Sequence, residues 1–421
     1  MSYLSIKGGV RPEGEILLQG SKNATLPILA ASVLCRGKVV LENCPDISDV
    51  RELLHALRFA GVKSRLHDRV LEIDASDAFP CFFGADYAEK TRGGVLLLGA
   101  FLGRFCEAGM AYPGGCVIGA RPIDLHCKVF RNLGLSLSED ETGVRVTGMP
   151  KGGRVVLPYP SVGATENALL TAVCAKGCTC IMGAAREPEV AELCRFLNAA
   201  GARIGGIGSA CIEIEGVPCL HGIRYRVSGD RIVAGTYLAA AAMTGGTITL
   251  YGMSGVSMQG ICGALKAAGA VAERTRDCIR LKAPVRLRRI PMLKTAPFPA
   301  FPTDMQSQTV AMLSVAEGES RIFETVFESR FGVVPELQKM GAAVKCDGKC
   351  VTVCGQKQLC GATVNATDLR SGAALVMAGL AAEGETRVYG YDYIARGYED
   401  ICGTLRGLGA EIVQCDENDE N

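Results

Sequence analysis

The chain has 421 residues, 48% hydrophobic and 21% charged, with 45 Lys and Arg against 44 Asp and Glu. That much apolar material builds real cores and excludes wholesale disorder. The even charge balance excludes the basic surplus of a nucleic-acid-binding protein, so an anionic ligand has to meet a local cluster of cations. A mean hydropathy of +0.21 is membrane-like at first sight, yet no run of ~18 apolar residues occurs and no membrane partner is expected. The first residues show no basic-then-apolar leader, which sets the expectation of a cytoplasmic protein.

In chain order, the first predicted helix runs from about residue 24 to 34, with Pro27 in its first turn. Similar helices, rich in Ala and Gly, are predicted after Thr91-Arg92, Ser161-Val162-Gly163, Gly229-Asp230-Arg231, Thr303-Asp304 and Thr367-Asp368. Such composition reads as burial on all sides. Between these helices a second phrase recurs: an amphipathic stretch that closes on Gly and turns into a strand. Its glycines are 61, 134, 201, 269, 341 and 409, spaced by about 70 residues. Each Gly reads as a helix C′ residue in the left-handed conformation. The chain is therefore α/β, built from six units of strand-helix-strand-helix-strand. Two globes of three units each fit the size of ordinary domains.

The helix starts collect charge. Lys22, Arg92, Arg231, Asp304, and Asp368 with Arg370 lie at five of them, and the sixth offers Ser161 with the N–H groups of Val162 and Gly163. Free N–H groups beside a cation attract anions. Cations there oppose the macrodipole, so something negative is expected to offset them. The carboxylates also read as plain caps, and Thr303 with Gln306 fits a capping box. The segment Pro113–Pro122, rich in Gly and Pro, reads as a mobile exposed loop, and Cys116 within it, near Arg121, is a candidate reactive thiol.

Other chemistries are excluded. With four His and no HExxH, and no P-loop, neither metal nor nucleotide-triphosphate chemistry is expected, and Gly205-Gly206-Ile207-Gly208 lacks the strand-to-helix setting of a dinucleotide site. The 20 cysteines are scattered, and their spacings do not match zinc pairs, so no metal or other cofactor is expected. Cys346 to Cys350 reads as a hairpin with Asp347-Gly348 at its tip.

Six segments resemble, in order and over essentially the whole chain, the bacterial UDP-N-acetylglucosamine 1-carboxyvinyltransferase family. They are Gly20-Ser21-Lys22-Asn23-Ala24, the stretch from Pro113 through Cys116 and Arg121 to His126, Ala185-Arg186-Glu187-Pro188-Glu189, Phe301-Pro302-Thr303-Asp304-Met305-Gln306, Thr367-Asp368-Leu369-Arg370, and Arg396-Gly397-Tyr398-Glu399. The resemblance implies two inside-out α/β globes, the enolpyruvyl transferase fold. One globe spans residues 21–228; the other spans 1–20 with 229–421. It implies transfer of enolpyruvyl from phosphoenolpyruvate to the 3′-hydroxyl of UDP-N-acetylglucosamine with release of phosphate, the first committed step of peptidoglycan synthesis.

By the same resemblance Cys116 is the general acid and Asp304 the base. Lys22, Arg121 and Arg396 hold phosphoenolpyruvate, with Arg92 and Arg370 nearby. The sugar nucleotide lies against Asn23, Arg121, Pro122, Ile123, Asp124, Leu125, Ser161, Val162, Gly163, Asp304 and Val326. The chain departs from the family at Tyr159, where a Lys is usual. This keeps open a paralogous transferase with another acceptor, and a non-catalytic protein that binds nucleotide sugar is the third reading.

Overall fold

This computed structural model describes residues 2–88, 90, 92–112, 119, 122–253, 255–275 and 278–416, with backbone alone at 92, 255 and 256. Six four-stranded sheets repeat one construction. In one, Arg154–Val156 is joined through the buried helix Val162–Ala172 to the parallel strand Cys178–Met182. The amphipathic helix Pro188–Ala199 follows, and then the strands Arg203–Gly205 and Cys211–Glu215 return as an antiparallel hairpin. The unit thus has one strand more than expected, because a hairpin follows the second helix. Its sequence explains this: Cys211-Ile212-Glu213-Ile214-Glu215 alternates polar and apolar residues and buries only the Ile side.

The glycines that close the second helices behave as read. Gly61, Gly134, Gly201, Gly269, Gly341 and Gly409 all have φ between 77° and 104°. The first helices are buried nearly throughout, as their composition predicted: every residue from Leu96 to Leu102, and from Ala164 to Ala172, lies inside. The sheets lie outside them, each with one solvent face. Small residues make the close helix approach possible. A Cβ at Gly99 would collide with the side chain of Asn167 on the neighbouring buried helix.

The chain divides into two compact units. One is formed by the described residues of 20–112 and 122–228, the other by those of 2–19, 119 and 229–416. Each carries three of the four-stranded sheets. At each crossing, the strand before a buried helix stays with the unit being left. Glu13–Leu17 pairs with Thr247–Tyr251, and Arg224–Arg226 pairs with Val39–Glu42. The sixth sheet takes its inner strand from the start of the chain: Ser2–Lys7 lies between Glu385–Tyr389 and Glu411–Asp416. No described helix is long and apolar enough to cross a membrane.

Three local expectations are corrected. The first helix is Lys22–Ser32 with Ser21 as its N-cap, so Pro27 lies in its second turn. The Thr303–Gln306 capping box does not form, because the Thr303 hydroxyl donates to Glu324 at 2.9 Å and Met305 occupies the N-cap. A capping box forms instead at Asp368 and Ser371. In the hairpin after Ala343–Asp347, Asp347 pairs with Cys350, so the tip is Gly348-Lys349, with Gly348 at φ 55°.

Candidate active site

In the unit of residues 20–228, Ser21 caps the first buried helix by accepting from the Ala24 N–H at 3.3 Å. This sets Lys22 at the first helical position, where the macrodipole opposes it. The offset comes from within the protein: Lys22 Nζ lies 2.8 Å from Asp49 Oδ2, with side chains 13% and 5% exposed. The carboxylate fixes the ammonium, and both are largely desolvated. Asn23 follows on the same turn. Arg92 lies in the short turn Arg92–Gly94 that leads into the helix Val95–Phe105.

Ser161 repeats the role of Ser21, accepting from the Ala164 N–H at 3.3 Å, and places Val162 and Gly163 in the first turn. Gly163 faces His126: a Cβ there would stand 3.0 Å from the imidazole Cε1. His126 belongs to the helix Asp124–Asn132, which also carries Asp124 and Leu125 and is preceded by Pro122 and Ile123. These residues therefore meet the Ser161–Gly163 turn through one buried ring.

Asn167, fully buried, ties the three helices together, and the motifs gave no sign of it. Its Oδ1 accepts from Gly99 N–H at 2.9 Å, and its Nδ2 lies 3.0 Å from the Val95 carbonyl and 2.7 Å from His126 Nδ1. With Nδ2 as donor, His126 Nδ1 is the acceptor and its proton sits on Nε2.

Burial pushes His126 down to about 4, against a weaker pull from Asp124. The folded state thus holds the neutral ring, whereas the unfolded chain takes up a proton near pH 6.5. The ring's contribution is complete above about pH 6.5 and is lost as the pH falls toward 4. Relative to His126→Gln, the wild type should lose ~3 kcal/mol of unfolding free energy over that interval, read by urea titration. Parallel pH profiles for the two proteins would refute the neutral buried ring.

In the other unit, Asp304 lies in the turn Thr303–Met305, just before the buried helix Gln306–Leu313. It does not cap that helix. Its Oδ1 accepts from Arg330 Nη2 at 2.5 Å and its Oδ2 from Arg370 Nη2 at 2.9 Å. Both guanidiniums are buried, with side chains 3% and 7% exposed. Burial is the largest single influence and works against the Arg370 charge, but Asp304, Tyr398 and Asp230 together outweigh it and the net shift is upward. Arg370 is aimed by its helix: Asp368 caps Leu369–Ala381, accepting from the Arg370 and Ser371 N–H groups. The plain capping reading therefore holds for Asp368 and fails for Asp304.

Arg330 was missed at the sequence level, since it lies in no helix start. Its Nε and Nη1 are buried and have no hydrogen-bond partner among the described residues, and its guanidinium stacks over Phe327 at 5.0 Å. Glu324, also missed, is fully buried and holds the region together. It accepts from the hydroxyls of Thr295 and Thr303 at 2.9 Å, from Val326 N–H at 2.8 Å and from Phe327 N–H at 3.2 Å. It thereby couples the turn of Asp304 to the segment of Val326.

Arg396 closes the short helix Tyr391–Ala395. The segment after it is pinned by Gln19, which donates to the Gly397 carbonyl at 3.0 Å and accepts from Glu399 N–H at 2.9 Å. Cys116 and Arg121 lie outside the described residues, as does most of the Pro113–Pro122 loop. No cluster of His, Cys, Asp or Glu suited to a metal occurs among the described residues.

A family model for EPSP synthase (3-phosphoshikimate 1-carboxyvinyltransferase) matches residues 6–405. UDP-N-acetylglucosamine 1-carboxyvinyltransferase 2 of Caldanaerobacter subterraneus subsp. tengcongensis is 42% identical over 98% of this chain and 100% of its own. The UDP-N-acetylglucosamine 1-carboxyvinyltransferase of Dichelobacter nodosus is 44% identical over 99% of this chain and 100% of its own. Among solved structures, the enolpyruvyl transferase NikO from Streptomyces tendae superposes with a TM-score of 0.87 at 26% identity, covering 98% of both chains. EPSP synthase from Acinetobacter baumannii shares the fold, with a TM-score of 0.76 at 19% identity over 99% of this chain and 100% of that one. With full-length matches of this kind on top of the repeated helix-start architecture, the chain belongs to the enolpyruvyl transferase family and, within it, to the UDP-N-acetylglucosamine 1-carboxyvinyltransferases.

Proposed function

We propose that this protein transfers the enolpyruvyl group of phosphoenolpyruvate to the 3′-hydroxyl of UDP-N-acetylglucosamine and releases phosphate. The step commits its product to peptidoglycan synthesis, and we place it in the cytoplasm. The observation that carries the reading is Asp304, a carboxylate suspended between two buried guanidiniums, one of which has two buried nitrogens with no hydrogen-bond partner among the described residues. Such a group suits an anionic substrate. When a substrate carboxylate takes up guanidinium N–H groups, Asp304 gives up part of its hold on them and is available to the sugar hydroxyl.

In this mechanism Asp304 takes the hydroxyl proton as the oxygen attacks C2 of phosphoenolpyruvate, and Cys116 delivers a proton to the CH2 carbon. The resulting phosphate-bearing adduct then loses a proton from the new methyl group and expels phosphate, which restores the carbon–carbon double bond and leaves the sugar as an enol ether. Lys22, Arg121 and Arg396 hold the phosphate and carboxylate charges, with Arg92 and Arg370 supporting them. Asn23, Pro122–Leu125, Ser161–Gly163 and Val326 receive the sugar nucleotide. In the proposed division into domains 21–228 and 1–20 with 229–421, Lys22, Asn23, Arg92, Arg121, Pro122–Leu125 and Ser161–Gly163 belong to the first and Asp304, Val326, Arg370 and Arg396 to the second.

Purified protein mixed with both substrates should release one phosphate per enolpyruvyl-sugar nucleotide formed, followed by a phosphate assay and product mass. Folded protein that releases phosphate only with a different hydroxylated acceptor would reject the acceptor, and the exposed Tyr159 would then be the first position to change to Lys.

A further inference from the structure

The sheet containing Cys178–Met182 turns one face outward. Thr179 and Ile181 are buried, so residues 178, 180 and 182 share the other face, and Cys211, Glu213 and Glu215 continue it on the next strand. The register pairs Cys180 with Glu213 and Met182 with Cys211, which makes Cys180 and Cys211 diagonal neighbours. Their sulfurs are 3.6 Å apart, in thiol–thiol hydrogen-bond contact. Cys211 is exposed and Cys180 half-buried. Arg154 flanks the pair from the third strand, its Nε 3.0 Å from Met182 Sδ. A surface pocket of about 810 Å³ lies over this face, lined by Arg154, Cys178, Cys180, Arg203 and Glu213 among others. None of these residues has a part in the transfer reaction.

We propose that Cys180 and Cys211 form a reversible dithiol–disulfide modification site, oxidised by low-molecular-weight disulfides. The Cys211 thiolate attacks one sulfur of the small disulfide, forming a mixed disulfide and expelling a thiolate. Cys180 loses its proton and attacks the Cys211 sulfur, expelling the second thiolate. Two protein thiols are thus oxidised, one small disulfide is reduced, and the two protons end on the two small thiols. The hydrogen bond to Cys211 raises the Cys180 thiol above its usual range, so Cys180 keeps its proton and Cys211 is the first to attack. Cys211 is reached from solvent beside the pocket rather than from its lining, and Arg154 and Arg203 on the pocket wall suit a carboxylate-bearing disulfide. A bond on a solvent-facing sheet surface is also open to thiol reductants, which makes the step reversible.

The full-length chain is incubated with oxidised glutathione, alkylated, digested with trypsin and weighed. A background with Cys178→Ser and Cys219→Ser leaves one cysteine in each of the peptides 177–186 and 204–224. The expected product is those two peptides joined, two hydrogens lighter than their summed thiol forms, and separated again by dithiothreitol. In the unsubstituted protein, fragmentation of the joined peptides places the same bond, whether or not the background variant folds. Adding Cys211→Ser should leave Cys180 unjoined. Separate glutathione adducts on Cys180 and Cys211, or free thiols at both while the exposed Cys346 reacts, would overturn the proposal.

Discussion

Replacing Asp304 by Ala should cost its unit about 3–5 kcal/mol of stability and lower turnover by roughly 10²–10⁴-fold. The stability loss follows from the two guanidiniums that the carboxylate neutralises. Arg330 and Arg370 are buried to 2% and 5% exposure, and without Asp304 both would lose the carboxylate they hydrogen-bond, leaving Arg370 only the more distant pull of Asp230 and Tyr398. Asp304→Asn separates the two effects. The amide oxygen still accepts a hydrogen bond, so the thermal midpoint should fall less than in the Ala variant, while the base is lost and turnover should fall as far. An Asn variant with wild-type turnover would end the role of Asp304 as base. An Ala variant as stable as the wild type would show that the buried charges are screened in some other way.

Cys116→Ala should lower turnover by a similar ~10²–10⁴-fold, because it removes the proton donor to the enol carbon. Substrate affinity should change little, so the loss belongs in kcat rather than KM. Cys116→Ser keeps the volume and a hydroxyl, but an alcohol is a far weaker acid than a thiol, so it should not restore the rate. An epoxide that mimics phosphoenolpyruvate should modify wild-type protein at Cys116, and peptide mass distinguishes this from reaction at the other 19 cysteines. Normal turnover in the Ala variant would move the proton donor elsewhere.

The repeat was readable because glycine marks its period: six left-handed positions have no substitute of equal ease, so they stand out in the chain. Three of the helix starts were readable for a similar reason, since Ser161, Asp230 and Asp368 are capping residue types in front of Ala-rich runs, whereas the cap at Ser21 was passed over and the first helix was read as starting two residues late. The sequence hid what long-range pairing decides. Thr303 has a good partner for a capping box three residues on, yet its hydroxyl turns to Glu324, which comes from another strand's end. Arg330 and Asn167 carry no local signature at all. Their importance lies in what they meet across 26 and 68 residues of chain, Asp304 and Gly99 respectively. The fourth strand was missed because the strand after each closing Gly was read as the last of its unit, whereas in five of the sheets it folds back on a further strand, as Arg203–Gly205 does on Cys211–Glu215.

The pairing of the first strand with the last has a consequence for synthesis on the ribosome. Residues 20–228 close their own three sheets and can fold as soon as they emerge. Ser2–Lys7, made before any of them, has its partners at Glu385–Tyr389 and Glu411–Asp416. This strand must therefore wait unpaired until Glu385–Tyr389 has been made. During that wait it is a bare strand edge, the kind of surface that chaperones hold and that neighbouring nascent chains can capture.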